Sequence, residues 1–322
     1  MLNTHVKPSS NEKRCARFIK DFEIDLKDIA AFLLQGCPPR FDLLLDRTEH
    51  FFGKTSVNIL TFAAGIGPTR FPLIWDDLGK TGNSNTKERK DLLKSLLKVL
   101  DPKRIQVLIA DREFIGMTWL TWLKNKRIPF TIRIRANTLI RLGPFKNRAD
   151  RIFKHLKVGD VLDFQLACVL LGVQGYVSAT RLETGELLIV FRSHQRLNGL
   201  EVYARRWGIE CLFKSFRTAG FNLSGSHVTD PVRVERLLVL LTLALTWAAR
   251  TGVLASQREP IPVKSHGRAE FSVFRFGLDV LVEILAGGAR LLSFAQVLTG
   301  LFEAPVAALT VRYARIPVCR SG

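Results

Sequence analysis

This chain of 322 residues is short of acid: 29 Asp and Glu stand against 48 Lys and Arg, a formal charge of +19 with a pI near 10.2. That deficit argues for a polyanionic partner, nucleic acid first and an anionic membrane surface second. Cysteine is scarce too. Cys15, Cys37, Cys168, Cys211 and Cys319 are an odd number with no C-x-x-C pair, which points away from a disulfide framework and towards reduced thiols in a reducing compartment. No apolar run reaches the ~20 residues of a spanning helix. The longest, residues 237–249, covers 13 positions between Arg236 and Arg250 and predicts a buried core helix. The first residues show no charged-then-apolar leader, and Gly79-Lys80-Thr81 has Ile74 where a phosphate-binding loop requires glycine. A cytoplasmic protein with no membrane partner and no nucleotide site is the expectation.

What the chain does have is 47% apolar residues, ample for a core, and an uneven distribution of charge. Residues 112–157 hold twelve Lys or Arg against Glu113 and Asp150, so this stretch supplies +10 of the +19. Within it, Phe130-Thr-Ile-Arg-Ile-Arg135 alternates as a strand does and puts Arg133 and Arg135 on one side of a sheet.

The order of elements reads as an amphipathic helical region over 1–40, then strands at 40–48, 57–63 and 70–75, a helix at 86–100, a strand at 105–111, a helix at 115–126 and a strand at 129–135. Residues 161–194 are β-rich and punctuated by Gly172, Gly175 and Gly185. Helices resume from Leu200, and a last one is expected over 271–292. Three strands, a helix and a fourth strand, with Asp46 on the first and Asp111 closing the fourth, describe a ribonuclease H-like α/β layout. The expected division is a short helical region 1–40, core 41–135, a β-rich insertion 136–198, core 199–252 and a helical C-terminal region 253–322. Strands one and four are neighbours in that layout, so residues 65 apart in sequence would meet.

The densest chemistry lies in Tyr203-Ala-Arg-Arg-Trp-Gly-Ile-Glu210-Cys-Leu-Phe-Lys214-Ser-Phe-Arg217. As one continuous helix it would place Tyr203, Arg206, Glu210 and Arg217 within an arc of roughly 60°, with Val202, Ile209, Leu212, Phe213 and Phe216 on the adjoining apolar face. The plain reading is a surface helix with an i,i+4 pair of Arg206 and Glu210. Tyr203 and Trp207 among the cations favour a surface that stacks bases while gripping phosphates. Carboxylates from separate elements are what a two-metal centre requires. Glu113 is the rival of Asp111. Asp42, Asp46 and His50 would share a helix face, but the run Phe41-Asp-Leu-Leu-Leu reads as strand.

The Tyr-x2-Arg-x3-Glu spacing of Tyr203, Arg206 and Glu210 resembles the C-terminal motif of DDE insertion-sequence transposases of the Tyr-Arg-Glu-Lys group. Leu45-Asp46-Arg-Thr48 and Ala110-Asp111-Arg-Glu-Phe-Ile-Gly116 are similar to that group's first and second aspartate motifs. The resemblance implies that Asp46, Asp111 and Glu210 bind two Mg²⁺, with Mn²⁺ able to substitute. It implies that Tyr203, Arg206 and a closing basic residue contact DNA phosphates. This chain has Arg217 at that last place where the group has Lys, with Lys214 one turn earlier. Trp207 is the stacking candidate, and Arg112, Arg133 and Arg135 are further DNA-binding candidates. Also implied are cut-and-paste transposition through hairpinned ends, double-stranded DNA partners (terminal inverted repeats and target), a homodimer in the DNA complex and a bacterial, nucleoid-associated location. Only 45 residues precede Asp46, where the group commonly has a larger helical DNA-binding region, so end recognition is expected to be abbreviated or the chain a shortened form. The alternatives are an inactive, transposase-derived DNA-binding protein and a ribonuclease H-like nuclease.

Overall fold

Leu43, Leu44 and Leu45 are buried on both faces, as strand residues are when helices cover a sheet containing parallel strands. In the computed structural model they form the middle of β1 (Phe41–Phe52). The structure describes residues 8–302 other than 53–54, 68, 196–197, 219–227, 229, 266, 268 and 289–290. Helices α1 (Pro8–Asp21) and α2 (Leu26–Gln35) precede β1, the second begun by an Asp25 carboxylate that accepts the Lys27 N–H at 2.8 Å. β2 (Thr55–Ile66) and β3 (Thr69–Asp77) return antiparallel. A reciprocal cap between Asn85 and Glu88 starts α3 (Thr86–Leu96), which leads to β4 (Ile105–Ala110), parallel to β1. After α4 (Met117–Asn125), β5 (Phe130–Ile134) lies parallel to β4. Strands one and four are thus neighbours, as their sequence pattern leads one to expect.

The β-rich stretch continues the same sheet. Its elements are β6 (Leu139–Leu142), β7 (Phe145–Arg148), the short α5 (Ala149–Ile152), β8 (Val161–Asp163), β9 (Cys168–Leu170), β10 (Val173–Arg181) and β11 (Leu187–Arg192). Because β11 pairs antiparallel with β5, the path runs β3-β2-β1-β4-β5-β11-β10-β9-β6-β7, with β8 beside β10 as the eleventh strand. Arg192, fully buried, fixes this junction. Its guanidinium meets Asp163 at 2.8 Å, donates to the carbonyls of His194 and Gln195 at 2.9 Å and lies over the Tyr176 ring.

The rest is helical: α6 (Gly199–Ala204), α7 (Trp207–Thr218), α8 (Pro231–Arg258), α9 (Val273–Leu285) and α10 (Phe294–Phe302). Two expectations are corrected. The stretch from Tyr203 to Arg217 is two helices, not one, broken at Arg205-Arg206. The core helix is 28 residues long rather than 13, because Arg236 and Arg250 do not end it: each reaches a main-chain carbonyl of the N-terminal helices, Ile19 at 2.9 Å and Leu33 at 3.4 Å. Among the described residues α8 is the one helix long and apolar enough to cross a membrane, and 67% of its most apolar window is buried inside the protein. It crosses α9 at glycines. A Cβ on Gly252 would lie 1.9 Å from the Val273 carbonyl oxygen, and one on Gly277 1.8 Å from that of Ala248, so backbone touches backbone where any side chain would clash.

Candidate active site

The register of β1 against β4 brings the first two acids together. Leu45 is opposite Ala110 in the parallel pair, and one step further along each chain stand Asp46 and Asp111. Paired positions leave a sheet on the same side, so both carboxylates face the helical layer that contains α7. Asp42 shares that face with Asp46 because strand residues repeat every two; the spacing of Asp42, Asp46 and His50 falls in a strand and not a helix, and the His50 side chain lies outside the described residues.

The turn between α6 and α7 supplies the other side. Tyr203 Oη donates to Asp111 Oδ1 at 2.8 Å. Arg205 pairs with Asp42 at 3.0 Å. Arg206 spans two acids, reaching Asp46 at 3.4 Å and Glu210 at 2.5 Å, with its guanidinium 5.4 Å from the centre of the Tyr203 ring. Arg70 of β3 holds the turn from behind. It donates to the Arg205 carbonyl at 3.3 Å, and it lies so close to Gly208 that a Cβ there would come within 2.5 Å of its Nε. This accounts for the break in the helix: the Arg205 carbonyl is turned towards Arg70, and the N–H groups of Arg206, Gly208 and Ile209 bond three residues back instead of four. The polar residues therefore converge through a bend, not through the straight helix face that their spacing suggested.

Burial falls from the floor of the site to its mouth, with side-chain exposure of 14% at Asp46, 13% at Arg206 and 37% at Glu210. At Asp46 burial is the main influence and pushes the carboxyl up to about 6. Arg206 and the Arg47 N–H only partly offset it, and the charges of Glu113 and Glu210 add to it. Asp111 goes the other way. Burial opposes its ionisation but is outweighed by the Arg112 N–H, Arg206, the Tyr203 hydroxyl and Arg133, which together hold it below the usual carboxylate range. Tyr203 is raised by burial, with the Asp111 charge adding to the effect. Arg206, despite burial, is raised by Tyr203, Glu210, Asp46 and Asp111. One cation is shared among three acids, so its own charge is secure while Asp46 is under-compensated.

The donor set fits a hard divalent cation, since it offers carboxylate oxygens from three elements and no sulfur or nitrogen ligand. Among the described residues, no three His, Cys, Asp or Glu side chains are gathered closely enough to hold an ion. The cationic position between Asp46 and Glu210 is taken by Arg206. Glu113, the rival ligand, points elsewhere, bound by Arg47 at 3.2 Å, and Arg47 also donates to Asn58 at 2.9 Å.

Of the other candidates, Trp207 is 59% exposed beside the site and Lys214 is exposed further along α7. Arg217 lies in α7, and its side chain is outside the described residues. Arg112 and Arg133 both contact Glu186, whereas Arg135, just past β5, is exposed with no ion pair among the described residues. Asp42, Arg205 and Arg70 were not singled out as partners from the sequence. Asp42 carried a signal, an acid two strand-repeats before Asp46, but Arg70 carried none.

Residues 67–247 match the transposase DDE domain family, more than half of the chain. The chain belongs to that family. The matched span of this transposase domain contains Asp111 and the whole Tyr203–Glu210 constellation, and Asp46 precedes it. No curated protein matches the chain in sequence. Among solved structures it is similar to the piggyBac transposase, determined by cryo-EM as a synaptic complex with hairpin DNA, at 12% identity and a TM-score of 0.42. The similarity covers 86% of this chain and 58% of that one, so this transposase-domain chain spans well under two thirds of its length.

Proposed function

We propose that this chain is an insertion-sequence DNA transposase of the Tyr-Arg-Glu-Lys group, with a ribonuclease H-like core, which cuts DNA at its element's ends and joins them to target DNA by a cut-and-paste route. The observation that supports the reading is the arrangement of Asp46, Asp111 and Glu210, from two adjacent strands and a helix, around Tyr203 and Arg206 at one partly buried site. Water, then a DNA 3′-hydroxyl, attacks phosphorus in line. Asp46, Asp111 and Glu210 are the residues that would hold divalent ions, which would activate the attacking oxygen and stabilise the leaving one.

The chain's own groups position the DNA. Glu210, at the open side, is the acid that reaches the solvent-facing edge of the site. Arg206 offers a planar fork that suits a phosphate as well as it suits the carboxylates it now bridges. Trp207 has the exposure a stacking residue needs. Tyr203 acts as a donor, not a nucleophile: burial keeps its phenol protonated and its hydrogen already points at Asp111. Tyr203→Phe is therefore expected to slow cleavage by ~10–100-fold, the value of one hydrogen bond to a charged group, and not to abolish it. Complete loss together with a trapped protein–DNA adduct in the parent chain would instead make Tyr203 the nucleophile.

The reading is tested by cleavage of duplex DNA carrying the terminal repeats that flank the gene, with Mg²⁺ or Mn²⁺ and with chelator. Metal-dependent cuts at the repeat ends are expected. Arg206, standing between Asp46 and Glu210 where a cation belongs, favours the second reading of a DNA-binding protein without catalysis. Binding with no cleavage in either metal would decide for it.

A further inference from the structure

The cations that the sequence draws attention to are partly engaged, since Arg112 and Arg133 share Glu186. Those of the β6–β7 hairpin are not. Among the described residues neither Arg141 nor Lys146 makes an ion pair, and of the hairpin's cations only Arg148 does, with Asp150. β7 is the last strand of the sheet, and all four of its residues are exposed.

The register sorts the hairpin into two faces. Leu139 is opposite Arg148 and Arg141 opposite Lys146 on one face; Ile140 is opposite Asn147 and Leu142 opposite Phe145 on the other. Like charges set directly across a strand pair repel, so Arg141 and Lys146 oppose folding unless an anion lies over them. Beyond them the chain turns through Gly143, at φ 57°, and at the tip Phe145 is 77% exposed. Cations on an edge strand also prevent sheet-to-sheet association. That function would not call for an exposed aromatic at the tip or for two cations facing each other.

We propose that the β6–β7 hairpin is a second contact with duplex DNA, entered tip first, in which Arg141 and Lys146 on one face grip the phosphate backbone and Phe145, on the other face beside the turn, presses into a groove. This rests on the transposase reading. A two-stranded ribbon fits the major groove, Arg and Lys bind phosphates, and apolar side chains wedge into grooves at base steps. Six strand-to-strand steps separate β4 from β7. The hairpin thus stands apart from the acids, and its contact with DNA is separate from theirs.

The test is the salt dependence of binding to a duplex of about three turns, read by fluorescence anisotropy, for the parent chain, Arg141→Gln/Lys146→Gln and Phe145→Ala. Losing two phosphate contacts is expected to reduce the slope of log K against log salt by about 1.8. Phe145→Ala is expected to weaken binding severalfold at an unchanged slope. Thermal melting of the double variant is expected at or above the parent value, because the opposed charges are gone, which separates lost contact from lost fold. In ethylation interference, a set of phosphate contacts away from the cut is expected to vanish only in the hairpin variants.

An unchanged slope in the double variant, with the parent chain binding in a salt-dependent way, overturns the hairpin contact and leaves the transposase reading standing. Self-association of the double variant at an unchanged slope assigns these cations to edge protection and likewise overturns it. A parent chain that binds anionic vesicles but not duplex overturns both.

Discussion

Asp111→Ala is expected to slow DNA cleavage at least about a thousandfold while leaving duplex affinity within about twofold, measured side by side on the same duplex. The loss follows from the several kcal/mol of charge stabilisation that a metal-bound carboxylate supports. Affinity survives because the phosphate contacts come from other residues. Among the described residues the Tyr203 hydroxyl is the side-chain hydrogen-bond partner of Asp111, so its removal leaves a buried phenol without that acceptor and does not strand a buried charge. Glu210→Gln is expected to match it. Glu113→Gln is the contrast: its carboxylate is bound to Arg47, so cleavage is expected to stay within about tenfold. If Glu113→Gln abolished cleavage and Asp111→Ala spared it, the assignment of acids would be wrong.

Asp46→Asn is expected to abolish cleavage and, without metal, to raise stability at neutral pH by up to ~3 kcal/mol. The sign follows from the raised carboxyl. With a folded pKa of about 6 against an ordinary 3.8, the folded chain binds the proton more tightly than the unfolded one. The stability this contributes is fully present below pH ~3.8 and is lost as pH rises through ~6. At neutral pH the ionised Asp46 therefore costs about 3 kcal/mol, the free-energy equivalent of that difference. Asparagine removes the charge and retains an oxygen for Arg206. Thermal melts in chelator are expected to show a gain that shrinks steadily on acidification. Adding Mn²⁺ is expected to stabilise the parent chain more than the variant. A variant less stable than its parent at neutral pH in chelator would mean that Arg206 fully compensates Asp46.

Much of this site was legible before any coordinates. Asp46 and Asp111 each interrupt or close an apolar run, and such runs mark strands wherever they occur, so the acids could be placed on elements and the elements ordered. The meeting of β1 with β4 followed from that order. What could not be read were contacts with no periodic trace. Arg70 bonds to a carbonyl 135 residues away, and Asp42 to a guanidinium 163 residues away. Neither pairing alters the local pattern around its residues, yet together they break the helix that the spacing of Tyr203, Arg206 and Glu210 implied. The length of α8 was hidden for a related reason: Arg236 and Arg250 look like helix ends until one sees the distant carbonyls that accept from them.

Among the described residues, β6 meets β9 at the single pair of Arg141 and Val169, and β9 meets β10 over the first three residues of β10. Arg141 is therefore both part of the hairpin's attachment and part of its grip, so a pull on its side chain passes directly to the hydrogen bonds that hold the hairpin in place.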